Sequence, residues 1–466
     1  MKIVLVRPNY KSHIITPPIG LGYLASYLKK YDIQAKIIDG LRDATPNEIL
    51  VKQILAENPD AVGITCLTAF YKEAVDLSLR LKKENVKIIM GGVHPTFLAR
   101  QTLKDSKCDF VIVGEGEKAL LKLIQNNFIP NGIKGVYCEE NLKNASECLE
   151  KAEIIANLDE LPFPDWEQLD PNKYPKAPHG AIVKNFPIGV IMTTRGCPYE
   201  CSFCASPGFY DKKIRFRTPE NIISEIKYLI DTFGVREIHF EDDNLTIDRK
   251  HVEKICNLIL EHGINISWAC PNGIRADKID EELLYLMKKS GCYYFAYGIE
   301  SANQKIIDGV KKREKIETIE KSINMAAKAG ISCQGFFIFG LPGETKDTIE
   351  QTIRFAKKSK LARAQFLILD VLPGSELWCS LKGKFTPNWT KESYKEPEWI
   401  PQGLTKRQLM QAQSRAFREF YFKSPMRLIK LALSIRPSQI KYLLKRISNY
   451  RILPKISFGK KSGKCF

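Results

Sequence analysis

The sequence lacks any long apolar run. No stretch of its 466 residues approaches the roughly 18 consecutive apolar residues that mark a membrane-spanning helix. The first residues, MKIVLVRPNY, contain only a short apolar stretch, which is typical of a first strand. We therefore expect neither a signal peptide nor a membrane span, and we expect a cytoplasmic location.

Acidic residues are absent from residues 421–466, which contain twelve Lys and Arg. The whole chain has a net charge of +18, so the other 420 residues carry only +6 once those twelve are subtracted. The basic character therefore belongs mainly to the end of the sequence, and the rest is close to ordinary in charge.

The basic segment has a helical pattern, and three functions remain open for it. The stretches MRLIKLALSI (426–435) and SQIKYLLKRI (438–447) interleave apolar and cationic residues. Such helices can pack on a neighbouring domain, can lie on an anionic membrane surface, or can contact nucleic acid through phosphates. Because no RNA-binding signature accompanies them, we expect no nucleic-acid partner. Peripheral contact with the inner face of the membrane stays possible.

A fourth cysteine is missing from the most conspicuous motif. Residues 193–204 read TTRGCPYECSFC, which places cysteines at positions 197, 201 and 204. A structural zinc site requires four closing ligands, and the other ten of the thirteen cysteines are scattered singly. Three thiolates can instead hold a four-iron cluster and leave one iron open for a substrate or cosubstrate. The missing cysteine is therefore compatible with a catalytic cluster.

The first part of the chain alternates short apolar runs with helical patterns, which predicts a doubly wound, Rossmann-like parallel sheet over residues 1–140. The predicted strands are KIVLV (2–6), AKIID (35–39), AVGIT (61–65), KIIMGG (87–92) and DFVIVG (109–114). Ligands of such sheets bind at the carboxyl ends of the strands. The candidate binding residues there are Thr65, Gly91, Gly92, His94, Gly114 and Glu115.

A proline-rich segment, residues 155–180, is predicted to link this sheet to a second domain. Strand–helix alternation resumes over residues 181–380, and its six βα units predict a partial parallel barrel of the (β/α)6 type. The cysteine motif directly follows the first of these strands, where a catalytic loop belongs. Residues 381–466 are predicted to form a mostly helical extension.

Here the sequence resembles the radical S-adenosylmethionine (SAM) superfamily. The resemblance rests on the C-x₃-C-x₂-C motif with Phe203, and on the segments FEDDNLT (240–246), YGIES (297–301) and FFIFGLPGET (336–345). The N-terminal sheet is similar to cobalamin-binding domains through PPIGLGYLASYL (17–28) and GGVHPT (91–96). The nearest group includes the anaerobic magnesium-protoporphyrin ester cyclase and hopanoid methylases.

The resemblance implies a catalytic cluster and a SAM site. Cys197, Cys201 and Cys204 would ligate a [4Fe–4S] cluster, whose open iron would bind SAM. One electron would cleave SAM into methionine and a 5′-deoxyadenosyl radical that abstracts hydrogen from an unactivated carbon. The further residues implied at the SAM site are Phe203, Asp242 or Asp243, Glu300, Ser301, Ile338 and Gly340. A helix cap remains an alternative for the aspartates, and a solvated face is expected for Arg215 and Arg217.

The cobalamin half departs from one pattern of its relatives. Many cobalamin domains present a cobalt ligand in D-x-H-x-x-G, whereas His13 here has Lys11 and Thr16 at the matching positions. The resemblance still implies that Thr65, Gly91 and Gly92 contact cobalamin. His94 is expected as a contact or as a core or capping residue. Glu115 remains a candidate both for a ligand contact and for a helix start.

The expected function is cobalamin-dependent methylation of an unactivated carbon. The alternative is a radical cyclisation or oxidative rearrangement with the same cofactors, and a tRNA methylthiolation is a weaker third reading. The expected partners are a small-molecule or lipid-like substrate and an electron donor such as flavodoxin or ferredoxin. Oxygen sensitivity follows from the open iron of the cluster.

Overall fold

The computed structural model describes residues 1–12, 14–176, 183–390 and 393–440. The strands are β1 (Lys2–Arg7), β2 (Gln34–Asp39), β3 (Ala61–Thr65), β4 (Lys87–Gly91), β5 (Phe110–Ile112), β6 (Val136–Tyr137), β7 (Ile188–Ile191), β8 (Thr194–Arg195), β9 (Arg215–Phe216), β10 (Glu237–Phe240), β11 (Ser267–Ile274), β12 (Cys292–Glu300), β13 (Ser332–Phe339) and β14 (Arg363–Ile368). The strands predicted for the N-terminal sheet are all present, with ends that differ by a few residues.

The helices alternate with these strands along most of the chain. They are α1 (Ile19–Lys29), α2 (Asn47–Ala56), α3 (Tyr71–Lys82), α4 (Val93–Phe97), α5 (Ala99–Ser106), α6 (Glu117–Gln125), α7 (Glu139–Lys143), α8 (Trp166–Leu169), α9 (Ser206–Phe209), α10 (Pro219–Phe233), α11 (Arg249–Glu261), α12 (Glu281–Lys289), α13 (Gln304–Gly309), α14 (Ile316–Lys328), α15 (Lys346–Lys358), α16 (Glu376–Ser380), α17 (Lys406–Phe417) and α18 (Pro425–Ser434). None of the described helices is long and apolar enough to cross a bilayer.

The N-terminal sheet has the strand order β2-β1-β3-β4-β5-β6, in which only β6 is antiparallel to its neighbour. Ile3 and Leu5 of β1 belong to one apolar core, whereas Val4 and Val6 belong to the core on the opposite face. A strand buried on both faces needs apolar residues at every position, which explains the unbroken run KIVLV. The strand order reverses between β1 and β3, and this switch point is where such sheets bind ligands.

The second sheet contains six parallel strands in the order β7-β10-β11-β12-β13-β14. Its strands follow one another in chain order, as in a barrel, and its helices pack around one large apolar core. The arrangement confirms the predicted doubly wound domain followed by a partial (β/α)6 barrel. The cysteine loop connects β8 to β9, two short paired strands just beyond the end of β7.

Local sequence explains how the helices of this sheet begin and end. At α10, the Thr218 side chain accepts a hydrogen bond from the Asn221 backbone N–H, and Pro219 occupies the first turn. Gly234 ends the helix with φ +66°, a conformation that favours glycine. Thr, Pro and Gly at these positions are the expected start and stop signals of a helix.

The predicted linker packs against both sheets. Trp166 is buried in the core of the barrel, and its indole N–H donates to Glu225 at 2.8 Å. Gln168 accepts a hydrogen bond from the Ile37 N–H and donates one to the Ala35 carbonyl, so it covers the edge strand β2. The segment therefore helps to hold the two sheets together.

Candidate active site

A single cavity of about 1070 Å³ is lined by both sheets. The barrel wall includes Cys197, Cys201, Cys204, Phe203, Asp243, Glu300, Lys312, Phe336, Ile338 and Leu367. The N-terminal wall includes Arg7, Tyr10, Ser12, Ile14, Leu67, Ala69 and Lys72, which lie at the end of β1 or follow β1 and β3. The switch point of the first sheet and the strand ends of the second therefore face each other across one space.

The three cysteines of the motif are free, partly buried and line this cavity. Their loop begins at Gly196, whose φ of +104° and contact with the Lys213 carbonyl leave no room for a side chain. Burial raises the pKa of all three thiols, and that of Cys204 to about 12. Binding of a metal would therefore displace their protons.

The cysteine arrangement fits a cluster better than a single ion. Within the described ranges, no three His, Cys, Asp or Glu side chains form a group that could hold one metal ion. A [4Fe–4S] cluster spreads its thiolates over different irons, so the sulfurs need not converge on one point. The three free thiols lie on one loop that begins at Gly196, and all three line the same cavity, as the ligands of such a cluster must.

The two candidate aspartates have different surroundings. Asp242 is buried, and its Oδ1 accepts hydrogen bonds from the backbone N–H and hydroxyl groups of Thr193 and Thr194. Asp243 is exposed to the cavity and accepts a hydrogen bond from Ser206. Burial raises the pKa of Asp242 to about 6, despite its four donors. Asp243 therefore faces the site, and Asp242 fixes the backbone that leads into the cysteine loop.

Glu300 ends β12 in a left-handed conformation, with φ +63°. Its carboxylate pairs at 3.0 Å with the ammonium of Lys312, which is buried and also lies 3.7 Å from Glu314. Left-handed φ values are uncommon for residues other than glycine and are tolerated where the surrounding structure fixes them. The ion pair holds Glu300 at the cavity wall close to Cys201.

Arg275 connects this charged group to the cysteine loop. Its guanidinium lies 3.8 Å from the centre of the Tyr199 ring and donates to the carbonyls of Lys312 and Arg313. Tyr199 stands between the first two cysteines of the motif. The loop is therefore braced by a cation on its inner side.

The remaining residues predicted for the SAM site divide between the cavity and its supports. Phe203 and Ile338 line the cavity. Ser301 is fully buried, where its hydroxyl contacts Thr352 and accepts from the Asn303 N–H. Gly340, with φ +94°, donates its N–H to the buried Glu344. Ser301 and Gly340 thus shape strand ends and do not line the cavity.

The glycines predicted at the cobalamin site are used by the sheet itself. A side chain at Gly92 would approach the Cys66 carbonyl to 2.7 Å, and Gly92 has φ +110°. Gly114, with φ +95°, lies against Lys151, while Gly91 pairs in register with Thr65 at the ends of β4 and β3. These four predicted residues, Thr65, Gly91, Gly92 and Gly114, lie at or just after strand ends and do not line the cavity.

His94 is a core residue. It is completely buried, its ring stacks on Tyr71 at 4.0 Å, and Trp389 packs against it edge-on. The Nδ1 atom lies 3.1 Å from the hydroxyl of Thr68, and burial lowers the pKa of the ring to about 4. His94 is therefore a neutral core histidine that packs between the N-terminal sheet domain and Trp389.

Glu115 joins the two sheets. Its carboxylate pairs with Arg195 at 3.0 Å and with Arg215, while Glu117 pairs with Arg195 at 2.8 Å. All four side chains are at least 88% buried, as their exposed fractions of 6–12% show. Arg195 lies two residues before Cys197, so this group of charges anchors the cysteine loop to the N-terminal sheet.

The expectation of a solvated face for Arg215 and Arg217 is wrong. Arg215 belongs to the buried pairs with Glu115, and Arg217 is 4% exposed. The guanidinium of Arg217 donates to Glu225 at 2.6 Å and to the Met192 carbonyl. Buried carboxylates take both cations out of solvent: Glu115, 100 residues before Arg215, and Glu225, eight residues after Arg217.

Sequence reasoning also missed Lys312 and Arg275, and the loop residues Tyr10 and Leu67. Lys312 stands in the run KKRE, which is typical of a solvated surface. Tyr10 and Leu67 have no chemical signature of a site. Only their position in the sequence could have indicated them, because Tyr10 and Leu67 follow the two strands that flank the switch point.

Comparison with known proteins agrees with the two-domain architecture. The model of the Radical SAM superfamily matches residues 191–356, and the B12 binding domain matches residues 10–124. An uncharacterized methyltransferase of Pyrococcus horikoshii is 35% identical over 445 residues, which cover 92% of this chain and 94% of that protein. The chain therefore belongs to the cobalamin-dependent radical SAM methyltransferase family.

Two further relatives have more specific names. The cytidylyl-2-hydroxyethylphosphonate methyltransferase of Streptomyces wedmorensis is 29% identical over 433 residues, with 81% of this chain and 80% of that protein covered. The anaerobic magnesium-protoporphyrin IX monomethyl ester cyclase of Cereibacter sphaeroides is 28% identical over 445 residues, covering 91% and 71%. Both relatives match across the two domains.

Solved structures share the fold. The cobalamin-dependent SAM radical enzyme OxsB, with aqua-cobalamin and SAM bound, superposes with a TM-score of 0.74 at 17% identity, covering 97% of this chain and 71% of that one. The methyltransferase TsrM from Kitasatospora setae, with cobalamin and a [4Fe–4S] cluster bound, gives 0.67 at 17% identity, covering 94% and 91%. The expected cofactors, a [4Fe–4S] cluster, SAM and cobalamin, are those of this family.

Proposed function

We propose that this enzyme methylates an unactivated carbon of a small-molecule substrate. The observation that carries the proposal is the shared cavity, since the cysteine loop and the switch point of the N-terminal sheet line the same space. When bound, the cofactors supply a radical that activates the carbon and a methyl group carried on cobalamin. The protein holds them together and excludes water.

The barrel wall provides the proposed cluster and SAM contacts. Cys197, Cys201 and Cys204 would hold the cluster. Asp243 is the better candidate for the cationic amino group of SAM, because its carboxylate is exposed to the cavity while Asp242 is buried and its Oδ1 accepts four hydrogen bonds. Phe203 and Ile338 would line the adenine. Glu300, fixed by Lys312, would face the ribose or methionine part.

The N-terminal wall would hold cobalamin. Tyr10, Ser12, Leu67 and Ala69 lie at the switch point and line the cavity, so they are the residues we add to the predicted cobalamin set. Thr65, Gly91, Gly92 and Gly114 would form the backbone rim around its tail. For His94 and Glu115 we favour structural roles, given the aromatic contacts of His94 and the ion pairs of Glu115.

Cyclisation is the second candidate, because a cyclase is among the relatives that match both domains. The two reactions differ in the fate of the methyl group of SAM. A methyltransferase transfers it to the product, whereas a cyclase does not. The distinction therefore rests on a labelling experiment and not on the shape of the cavity.

We test the proposal by anaerobic reconstitution with iron, sulfide, hydroxocobalamin, a reductant and SAM carrying a deuterated methyl group. An extract of small molecules from cells that lack this gene supplies the substrate. We expect bound cobalamin, 5′-deoxyadenosine and a product with a deuterium-shifted mass, all absent from Cys201→Ala. 5′-Deoxyadenosine with an unlabelled new product would favour cyclisation, and absence of 5′-deoxyadenosine would refute both reactions.

For the C-terminal helices we propose contact with an anionic membrane surface. Met426, Ile429 and Leu433 of α18 are between 52% and 83% exposed, and their spacing places them on one face of this helix. The stretch SQIKYLLKRI lies mostly beyond residue 440, outside the described residues, but its cations add to the same basic segment. A lipid-like substrate would be reached from such a surface.

Vesicle sedimentation tests this contact. The native protein should sediment with vesicles that contain phosphatidylglycerol and less with phosphatidylcholine alone, and Ile429→Ser with Leu433→Ser should weaken sedimentation several-fold. An equivalent pair of substitutions at exposed positions outside the helix, Ile49→Ser with Leu79→Ser, serves as the control. Equal binding by the two pairs would contradict the membrane contact.

A further inference from the structure

Exposed cations surround the outer side of the cysteine loop. We call Lys212, Lys213, Lys311 and Arg313 the cationic rim. The side chains of Lys212, Lys311 and Arg313 are 57%, 47% and 67% exposed, and Lys213 is exposed as well. The rim comes from two segments more than ninety residues apart in the sequence, so only the fold brings these cations together.

Both segments of the rim touch the cysteine loop directly. At the start of the loop, Gly196 packs against the carbonyl of Lys213 so closely that a side chain could not fit. In the middle of the loop, the N–H of Ser202 donates to the carbonyl of Val310 at 3.0 Å. The rim therefore borders the cysteine loop, and its four side chains do not line the cavity.

The segment 311–314 alternates between the site and the surface. Lys312 and Glu314 point inward and are buried, with Lys312 paired to Glu300. Lys311 and Arg313 are exposed and have left-handed φ values of +57° and +56°. One short segment thus supports the SAM side of the loop and presents cations on its outer side.

The rim keeps an excess of positive charge after its ion pairs are considered. Glu200, within the cysteine loop, binds Lys212 and Arg313, and Glu376 binds Lys311 at 2.7 Å. Lys213 has no ion-pair partner among the residues that the structure describes. Four cations therefore face two carboxylates, and exposed pairs of this kind are weak enough to exchange partners.

We propose that the cationic rim is the docking surface for an acidic electron-donor protein. The proposal rests on the proposed function, which needs one electron from outside for each SAM that is cleaved. One electron would leave the flavin hydroquinone of a flavodoxin-like donor and reduce the cluster by one electron. The same electron would then break the carbon–sulfur bond of SAM, giving methionine and the 5′-deoxyadenosyl radical. Opposite charges steer such encounters and make them sensitive to salt.

The test compares two reductants on the reconstituted holoenzyme, with formation of 5′-deoxyadenosine as the readout. One reductant is an acidic flavodoxin kept reduced by NADPH and its reductase. The other is reduced methyl viologen, a small cation that needs no protein docking surface. The rim variant is Lys213→Glu with Lys311→Glu. The matched control reverses two exposed lysines on helices α2 and α5 of the N-terminal domain, Lys52→Glu with Lys104→Glu.

We expect the rim variant to raise the KM for flavodoxin at least tenfold at low salt and to lose the salt dependence of the native enzyme. Its rate with methyl viologen and its cluster absorbance should match the native protein, and the control should behave as native with both reductants. An unchanged KM for flavodoxin in the rim variant, or an equal rise in the control, would overturn the docking surface. Failure of the native enzyme with both reductants would instead refute the proposed function on which the rim depends.

Discussion

The two walls of the cavity are built in different ways. The barrel wall carries reactive side chains, including three thiols and two carboxylates, and buried ion pairs brace it from behind. The N-terminal wall consists of the loops after β1 and β3, with residues such as Tyr10, Ser12, Leu67 and Ala69. The barrel wall is therefore recognised by its reactive side chains, whereas the N-terminal wall is recognised by the loops that converge on the cavity.

The difference follows from how each cofactor is held. A cluster is bound covalently through thiolates, so its ligands must be cysteines at a fixed spacing. A large organic cofactor is bound by many weak contacts along a crevice, for which many residue types serve. The first kind of site is visible in a sequence, and the second becomes visible only when the loops are seen to converge.

The largest expected effect comes from the barrel wall, whose cysteines would bind the cluster covalently. Cys201→Ala should abolish both the visible absorbance of the cluster and the formation of 5′-deoxyadenosine, because two thiolates cannot retain the cluster. Cys379→Ala, an exposed free cysteine, is the matched control and should leave both signals intact. Full cleavage of SAM by Cys201→Ala would break the distinction between the two walls.

The next prediction distinguishes the roles of the two adjacent aspartates of the barrel wall, Asp242 and Asp243. Asp243→Asn should raise the KM for SAM about tenfold, which corresponds to roughly 1.4 kcal/mol, because a charged contact is lost. Asp242→Asn should instead destabilise the fold by about 1–3 kcal/mol, since a buried amide group would lack a partner. SAM titrations and urea unfolding measure the two effects. The reverse assignment of effects would move the SAM contact to Asp242.

A third prediction concerns how the walls are held together. Glu115→Gln should lower the free energy of unfolding by about 3 kcal/mol, since buried arginines would lose a charged partner. Glu153→Gln, whose pair with Lys122 is about half exposed, should leave the free energy of unfolding nearly unchanged, because solvent screens such a pair. Urea unfolding with and without hydroxocobalamin is the measurement. Lost cobalamin affinity with unchanged unfolding would make Glu115 a ligand contact.

The last effect is a pH dependence behind the barrel wall, which builds up gradually over several pH units. Burial raises the pKa of Glu344 from 4.5 to about 8, so the folded protein binds a proton in this interval that the unfolded chain does not. Stability should therefore fall as pH rises from 4.5 to 8, by at most about 1.4 kcal/mol per unit. Glu344→Gln should lack this contribution. A constant difference between variant and native protein across pH 5–8 would contradict it.

Local patterns predicted much of the fold because they reflect local physics. The apolar run KIVLV requires burial on both faces, and Thr218, Pro219 and Gly234 mark the ends of a helix. The short strands β6, β8 and β9 were not predicted, because two residues carry no period. Partners from distant segments, such as Glu115 for Arg215, could not be read from the sequence.

Part of the candidate site could also be predicted from the sequence, and part could not. The cysteine spacing identified the loop, and the resemblance supplied Phe203, Asp243, Glu300 and Ile338, all of which line the cavity. His94 and the strand-end glycines follow the right strands, but His94 packs in the core and Gly92 packs against Cys66. Position at a strand end therefore does not separate residues that face a ligand from those that support the loop.

The central claim is that cluster and cobalamin occupy one cavity, and its most direct test is electron paramagnetic resonance of the reconstituted enzyme. The cobalt(II) signal is recorded with the cluster oxidised and with the cluster reduced. We predict that reduction of the cluster broadens or relaxes the cobalt signal through magnetic coupling between neighbouring spins. A cobalt signal that stays unchanged while the cluster is fully reduced would contradict a shared cavity.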